Sequence, residues 1–326
     1  GSRMYRGDDI YLLDFWPLDN LNTIGAGTTW TAPGKTILSL HAGVNQLRNR
    51  YEYQEISVAA PDFGVEQVPY MDRVRTIGSL RLEQPISLGE HRGLKSVAYG
   101  EVQRQGAGVY KDENDVRVSL PKETGYVVGA ELGLWGLGDR GFVNLFARHA
   151  AGIAAYGELT VPTDVDLNRS VTGAAQTRLA ASMGWGSGRF DVIGGAYVDW
   201  FHDADSVNYD TDDYYEGTLS VRPMFKVAGA YRQAFELSYQ GHRPDGLNAR
   251  TDTFLVPAIA KFAIMPTLAA GDGPFARPEL RLIYEVSVLN RGAQQNYPAA
   301  DPRSQGPIQH YLGIGAEWWF NSSTPR

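Results

Sequence analysis

Apolar and polar residues alternate along most of this chain, most regularly near its C-terminus. Between residues 280 and 288 one parity is apolar (Leu280, Leu282, Tyr284, Val286, Val288) and the other carries charges. The run 308–320 repeats the pattern, and His310 alone interrupts its apolar parity. Alternation at period two is typical of a β-strand whose two faces lie in unlike surroundings. Each run has about a dozen residues, which suits a tilted strand that crosses a bilayer.

The same alternation predicts about 14 strands along the chain. Short connections such as 33–34, 136–140 and 186–188 mostly alternate with long polar ones, as in an up-and-down barrel whose turns and loops lie at opposite ends. We therefore predict an all-β, transmembrane, antiparallel up-and-down β-barrel, with one domain over 1–320 and a polar tail over 321–326. The predicted strands are 5–16, 24–32, 35–46, 73–84, 94–104, 124–135, 141–150, 176–186, 188–200, 215–227, 231–241, 251–264, 277–289 and 308–320.

Composition narrows the class of protein. The 326 residues contain no Cys and carry a formal net charge of −7, which argues against disulfides, thiolate metal sites and nucleic-acid binding. No run approaches the ~18 consecutive apolar residues of a transmembrane helix. The first residues lack the apolar segment of a signal peptide, so we expect a mature chain or a fragment. A soluble β-sandwich would also alternate, but with shorter strands and polar outward faces.

Several motifs, in order along the chain, resemble the maltoporin family of carbohydrate-selective outer-membrane porins. They are Asp9–Phe15, Arg222-Pro223-Met224-Phe225-Lys226, Phe275-Ala276-Arg277-Pro278-Glu279-Leu280-Arg281 and the final Gly313–Phe320. The resemblance implies a bacterial outer-membrane location, a homotrimer and a parent barrel of about 18 strands. The chain is similar to about the last 14 of these, so we expect about four strands to precede Gly1.

The resemblance also implies an aromatic strip along the lumen, on which sugar rings stack while hydroxyl groups bind a polar track. Three positions of this strip carry over from the family to this chain: Phe142, Phe275 and Trp319. Each shares the parity of charged or polar neighbours, which favours a lumenal position over one in a lipid-facing girdle. Tyr126 and Tyr311 are weaker lumenal candidates. Trp318 and Phe320 have the opposite parity, and we interpret them as girdle residues.

The polar track is the second site that the resemblance implies. Asp14 matches a constriction acid of the family, Trp16 replaces a Tyr, and Arg6 lies beside Gly7, where the family has Arg. Further charged side chains share the lumenal parity. Their alternative role is to form a hydrated wall that shapes the electric field for ions. They are Arg81, Arg148, Arg222, Arg277 and Arg281.

Other chemistry is weakly indicated. Acids crowd one loop (Asp203, Asp205, Asp210, Asp212) and could bind Ca²⁺, but their spacing matches no EF-hand, which favours a solvated loop. The His residues lack zinc-ligand spacing, and we expect no cofactor. A membrane enzyme would need a pair such as Asp199 and His202 at one barrel end.

Together these features predict a porin, not an enzyme, that allows passive diffusion of maltose- or maltodextrin-like oligosaccharides. Its partners would be oligosaccharides, outer-membrane lipid and two further copies of the chain, and no nucleic acid. A general diffusion pore or a structural barrel without sugar selectivity is the alternative.

Overall fold

One antiparallel sheet dominates the molecule. The computed structural model describes residues 24–45, 55–59, 65–69, 74–111, 117–139, 141–156, 165–205 and 213–318. Within these residues, 13 strands pair in the order β1-β2-β5-β6-β9-β10-β11-β12-β13-β14-β15-β16-β17. Every pair in this order is antiparallel, and β1 and β17 form its two edges.

The lengths of the strands are typical of the wall of a membrane barrel. Most wall strands are 10 to 15 residues long, well above the usual soluble length. In chain order the strands are β1 (Ile24–Thr31), β2 (Ile37–Asn45), β3 (Glu55–Ala59), β4 (Val65–Pro69), β5 (Arg75–Ser87), β6 (Gly93–Gln105), β7 (Gly108–Lys111), β8 (Arg117–Leu120), β9 (Glu123–Leu137), β10 (Gly141–Gly152), β11 (Ala175–Ser187), β12 (Phe190–His202), β13 (Tyr214–Ala228), β14 (Tyr231–Pro244), β15 (Ala258–Ala269), β16 (Glu279–Leu289) and β17 (Ile308–Glu317).

Short and long connections alternate strictly along the described wall. The short ones join β1–β2, β5–β6, β9–β10, β11–β12, β13–β14 and β15–β16, and we call their side of the sheet the turn end. The long ones lie at the opposite side, which we call the loop end. Two of them contain the small hairpins β3–β4 and β7–β8, and the last contains the helices α1 (Arg291–Gln295) and α2 (Pro302–Gln305). This arrangement confirms the predicted up-and-down order.

The strand predictions hold except at one element and in the loops. The strand predicted at 5–16 lies outside the described residues. The strand predicted at 251–264 is wrong at its start, because β15 begins at Ala258. Residues 248–253 form a turn instead, in which the Asn248 side chain accepts hydrogen bonds from the Arg250 and Thr251 amides. The two hairpins inside the long connections were not predicted from the sequence.

The two faces of the sheet differ in the way that the alternation predicts. Polar side chains of one face are buried: Ser220 and Arg232 expose 2% and 4% of their surface. Apolar side chains of the other face are open, and Leu219 and Leu237 expose 51% and 61%. A soluble protein has the reverse distribution. The polar face is therefore the inner, lumenal face, and the apolar face is the outward face that meets lipid.

Aromatic rings form a row on the outward face that starts near the turn end, at the connection between β11 and β12. Trp185, Phe190, Phe225, Phe235 and Phe262 follow one another across β11 to β15, with ring centroids 4.9 to 6.5 Å apart. At the loop end Trp200 and Tyr215 meet edge to face on the same outward side, with centroids 6.5 Å apart. Aromatic side chains at both borders of the apolar band are typical of a membrane barrel. In the described part of the chain, no helix is both long and apolar enough to cross a membrane.

A charge placed on the outward face should destabilise the barrel. We expect Leu237→Lys to lower the free energy of unfolding in lipid vesicles by about 2–4 kcal/mol, because the ammonium group must enter hydrocarbon. Urea-dependent unfolding, followed by tryptophan fluorescence, measures this change. Gln240→Lys, on the inner face of the same strand, is the control and should change the value by less than about 1 kcal/mol. Equal losses in both variants would contradict the assignment of the faces.

Candidate functional site

Two predicted strip residues meet on the inner face near the turn end. Phe142 is the second residue of β10, and Phe275 lies in the connection between β15 and β16. Their ring centroids are 6.4 Å apart although the two segments are five strands apart in the sheet. Phe275 also packs against a cluster of apolar inner-face side chains from β12 to β15 (Ile193, Met224, Ala234, Ala263, Met265). The connection that carries Phe275 therefore folds inward, toward the lumen.

Polar contacts hold this connection, residues 270–278, in its inward position. The buried Arg232 guanidinium of β14 donates hydrogen bonds to the backbone carbonyls of Gly271 and Gly273. Both glycines have positive φ, 114° and 87°, which a residue with a Cβ rarely adopts. Lys226 of β13 forms an ion pair with Asp272 between them. We call this segment the Phe275 turn.

Four charged side chains form a network beside the Phe275 turn. Arg277 contacts Glu279 at 3.2 Å and Glu317 at 3.0 Å. Arg281 contacts the same two carboxylates at 2.7 and 2.6 Å. Their inner-face position follows from the register of β16 and β17, in which Glu279 lies opposite Glu317 and Arg281 opposite Gly315. The network places N–H donors and carboxylate acceptors next to an aromatic surface.

A row of ionisable side chains crosses the inner face nearer the loop end. The strand registers set Arg148 opposite Arg178, Arg178 opposite Asp199, Asp199 opposite Glu216, and Glu216 opposite His242. We call these five residues the polar row. Like charges that face each other directly are unfavourable in a sheet, so Arg148 and Arg178 need partners.

Neighbouring groups supply those partners. Arg178 forms a buried ion pair with Asp199 at 2.5 Å. Arg148 donates to Gln176 at 2.7 Å, and Gln176 donates to Asp199 at 2.9 Å. The buried Asp199 carboxylate thus contacts Arg178 directly and is linked to Arg148 through the Gln176 amide.

Three further inner-face cations form ion pairs with neighbouring carboxylates. Ion pairs join Arg81 to Glu83 at 2.7 Å, Lys95 to Glu131 at 2.7 Å and Arg222 to Glu236 at 2.6 Å. Each pair lies on one strand or on adjacent strands, so opposite charges are mixed along the wall. Such a lining offers many donors and acceptors to a neutral polar solute.

The connection after β10 also turns inward. Residues Ile153–Tyr156 form a buried 3-10 turn that packs on the inner face of β9 and β6. Gly125 of β9 permits this approach, because a Cβ there would lie 2.5 Å from the Ala154 nitrogen. The 3-10 turn therefore occupies lumenal space near the loop end.

A family model described as LamB porin matches residues 1–320. The chain belongs to the LamB porin family. Its members are channels of the bacterial outer membrane rather than enzymes, and the maltoporin resemblance inferred from sequence motifs is confirmed. No curated protein matches the chain.

The structure places the residues predicted from the sequence as site residues as follows. Phe142, Arg81, Arg148 and Arg281 lie on the inner face, and Phe275 and Arg277 lie in the Phe275 turn. Arg6, Asp14, Trp16 and Trp319 fall outside the described residues. Tyr126 is on the outward face of β9, so its interpretation as lumenal is wrong, whereas Tyr311 has the inner parity of β17. The parity of Trp318 is outward.

Metal and enzyme chemistry find no geometric support in the described residues. Asp203 accepts a hydrogen bond from the Asp205 amide, and Asp213 accepts one from the Asp203 amide, so these acids cap a loop. No group of three His, Asp or Glu side chains among the described residues could hold a metal ion, and Asp210 and Asp212 are not described. Asp199 lies on the inner face within the polar row, whereas exposed His202 has the opposite parity and pairs with Asp213.

Loss of Arg232 should loosen the Phe275 turn. In Arg232→Ala, two carbonyls lose a charged donor, and we expect about 1.5–3 kcal/mol less stability for the turn. Hydrogen exchange of the amides in residues 270–278 should accelerate by about tenfold or more, given 1.4 kcal/mol per decade. Arg222→Ala removes an inner-face arginine that pairs with Glu236 and not with the turn, so it should leave that exchange unchanged. Unaltered exchange in Arg232→Ala would contradict the role of Arg232 in holding the Phe275 turn.

Loss of Asp199 should destabilise the wall strongly. We expect Asp199→Ala to lower the free energy of unfolding by about 3–5 kcal/mol, because it leaves Arg178 buried without its carboxylate. Asp199→Asn keeps the hydrogen-bond acceptor and should lose less. The double change Asp199→Ala with Arg178→Met removes both charges and should recover part of the loss. Urea unfolding in vesicles measures all three, and a double variant as unstable as Asp199→Ala would refute the charge argument.

Proposed function

We propose that this LamB-family chain forms the wall of an outer-membrane channel through which neutral oligosaccharides of the maltose and maltodextrin type diffuse passively. The observation that carries the proposal is the lumenal ring pair Phe142 and Phe275, which lies beside the network of Arg277, Arg281, Glu279 and Glu317. The family supports the coarser part, since its members are sugar-passing outer-membrane porins, and it supports assembly as a trimer.

The chemistry of the pair suits a sugar ring. The C–H faces of a pyranose are apolar and rest on aromatic rings, while its hydroxyl groups both donate and accept hydrogen bonds. At the turn end both demands are met within one short stretch of wall. A transported solute must also leave, so weak contacts at several positions serve better than one tight pocket. The lateral pairing of inner-face charges agrees with a neutral solute, because it leaves alternating donors and acceptors along the path.

The role of the two rings can be tested by sugar block of ion current. In a planar bilayer, maltohexaose should reduce the conductance of the purified wild-type channel. We expect Phe142→Ala and Phe275→Ala each to weaken the apparent affinity about two- to tenfold, because an aromatic contact contributes about 0.5–1.5 kcal/mol. Current-noise analysis provides the association and dissociation rates.

A pair of phenylalanines on the outward face is the matched control. Phe190 and Phe225 are 4.9 Å apart and lie on the lipid side of strands β12 and β13. Changing either to Ala should leave the sugar affinity within about twofold of wild type, since a change of 0.4 kcal/mol corresponds to that factor. Unblocked wild-type conductance would reject sugar selectivity and favour a general diffusion pore. Equal effects of the inner and outward variants would reject the role of the rings.

A further inference from the structure

A second group of rings lies on the inner face, at the opposite end of the wall from Phe142 and Phe275. We call Tyr156, Phe201, Tyr214 and His242 the loop-end aromatic patch. Tyr156 belongs to the 3-10 turn, Phe201 lies near the end of β12, Tyr214 begins β13, and His242 lies near the end of β14. All four positions are therefore close to the loop end, which we expect to form the mouth of the proposed channel.

The rings contact one another in a continuous series. Tyr156 meets Phe201 edge to face at a centroid distance of 5.3 Å. Phe201 lies opposite Tyr214 in the register and stacks with it at 5.4 Å. Tyr214 is 5.0 Å from His242. The series spans three strands and the inserted turn, and Phe201, Tyr214 and His242 remain partly accessible.

The side of the sheet is fixed by the neighbours of these rings. Phe201 has the parity of buried Asp199, and Tyr214 has the parity of Glu216 and of buried Ser220. Phe201 packs on a buried cluster that includes Ile153, Ala155 and Tyr156 of the 3-10 turn, which lies on the inner face. The adjacent residues Trp200 and Tyr215 form an edge-to-face pair on the outward side. The sheet thus carries one aromatic pair toward lipid and another toward the lumen at the same height.

The patch also adjoins the polar row. Phe201 and Tyr214 each lie two residues from a member of the row, Asp199 and Glu216, which corresponds to about 7 Å along a strand. The row presents the Glu216 carboxylate, which accepts from the Tyr197 hydroxyl at 3.1 Å and lies 3.5 Å from the His242 ring nitrogen. A ring resting on the patch would have hydroxyl groups within reach of these acceptors and donors.

We propose that the loop-end aromatic patch is a saccharide-binding site that captures a pyranose unit at the mouth, before it reaches Phe142 and Phe275. The inference rests on the proposed sugar channel and extends it. Aromatic carbon contacts the apolar C–H groups of the sugar, and the partly exposed Glu216 and His242 of the polar row bind its hydroxyls. The site holds the solute weakly and raises its chance of entering the lumen.

The test measures association from each side of the membrane. In channels inserted in one orientation, maltohexaose is added on the loop-end side or on the turn-end side, and association rates are taken from current noise. For the double variant Phe201→Leu with Tyr214→Leu, the loop-side rate should fall about two- to tenfold. The turn-side rate should stay within about twofold of wild type. Tyr214→Phe keeps the ring and should retain most of the loop-side rate.

The outward pair supplies the control for folding effects. Trp200→Leu with Tyr215→Leu changes the neighbouring residues of the same two strands, and it should leave both rates unchanged. If wild type is blocked by maltohexaose but the patch variant associates normally from the loop side, the patch inference is overturned and the proposed channel stands. If the outward variant loses as much as the patch variant, the inference is also overturned. Absence of any block in wild type would overturn both the channel proposal and the patch. The single variant Phe201→Leu repeats the test if the double variant does not insert.

Discussion

The backbone hydrogen bonds between neighbouring strands are the constraint on which the rest of the structure depends. In hydrocarbon an unpaired N–H or C=O is very unfavourable, so a chain that crosses as strands must pair each strand on both sides. In the described wall every strand between β1 and β17 has an antiparallel neighbour on each side, and β1 and β17 are its edges. Once the strands are paired, the pleat sends successive side chains to opposite faces. The apolar outward surface and the polar lumen are both consequences of that pairing.

The strand registers determine which side chains lie next to one another in the lumen. Arg148, Arg178, Asp199, Glu216 and His242 line up across five strands only because each lies directly opposite the next. Buried charge is tolerated there because each arginine has an acceptor within hydrogen-bond distance. Rings follow the same rule, so a shift of one residue would move Phe201 to lipid and Trp200 to the channel. The strand registers therefore decide which functional side chains lie side by side on the lumenal face.

Much of this could be predicted from the sequence, since alternation alone located most strands and both faces. The face that parity predicts for Phe142 is the one observed. Tyr126 was predicted as lumenal without a parity argument, and its parity is opposite to that of the buried Glu123 and Glu131 of β9. The same argument could have found Phe201 and Tyr214, because they share the parities of Asp199 and Glu216. Phe275 reached the lumen for another reason: it lies before β16, in a turn that folds inward. Alternation cannot foresee such a fold, which depends on Arg232 from a different strand.

The Phe275 turn faces the lumen without also facing the bilayer, whereas each wall strand faces both. Strand residues serve the bilayer on one side and the channel on the other, and every change among them risks the stability of the whole sheet. The segment from 270 to 278 carries no wall hydrogen bonds beyond its ends and is held by side chains that reach it from β13 and β14. Apart from Gly271 and Gly273, whose positive φ disfavours other residues, its side chains are not constrained by strand pairing. A substitution at Phe275 therefore changes the lumenal surface while the paired strands of the wall keep their sequence.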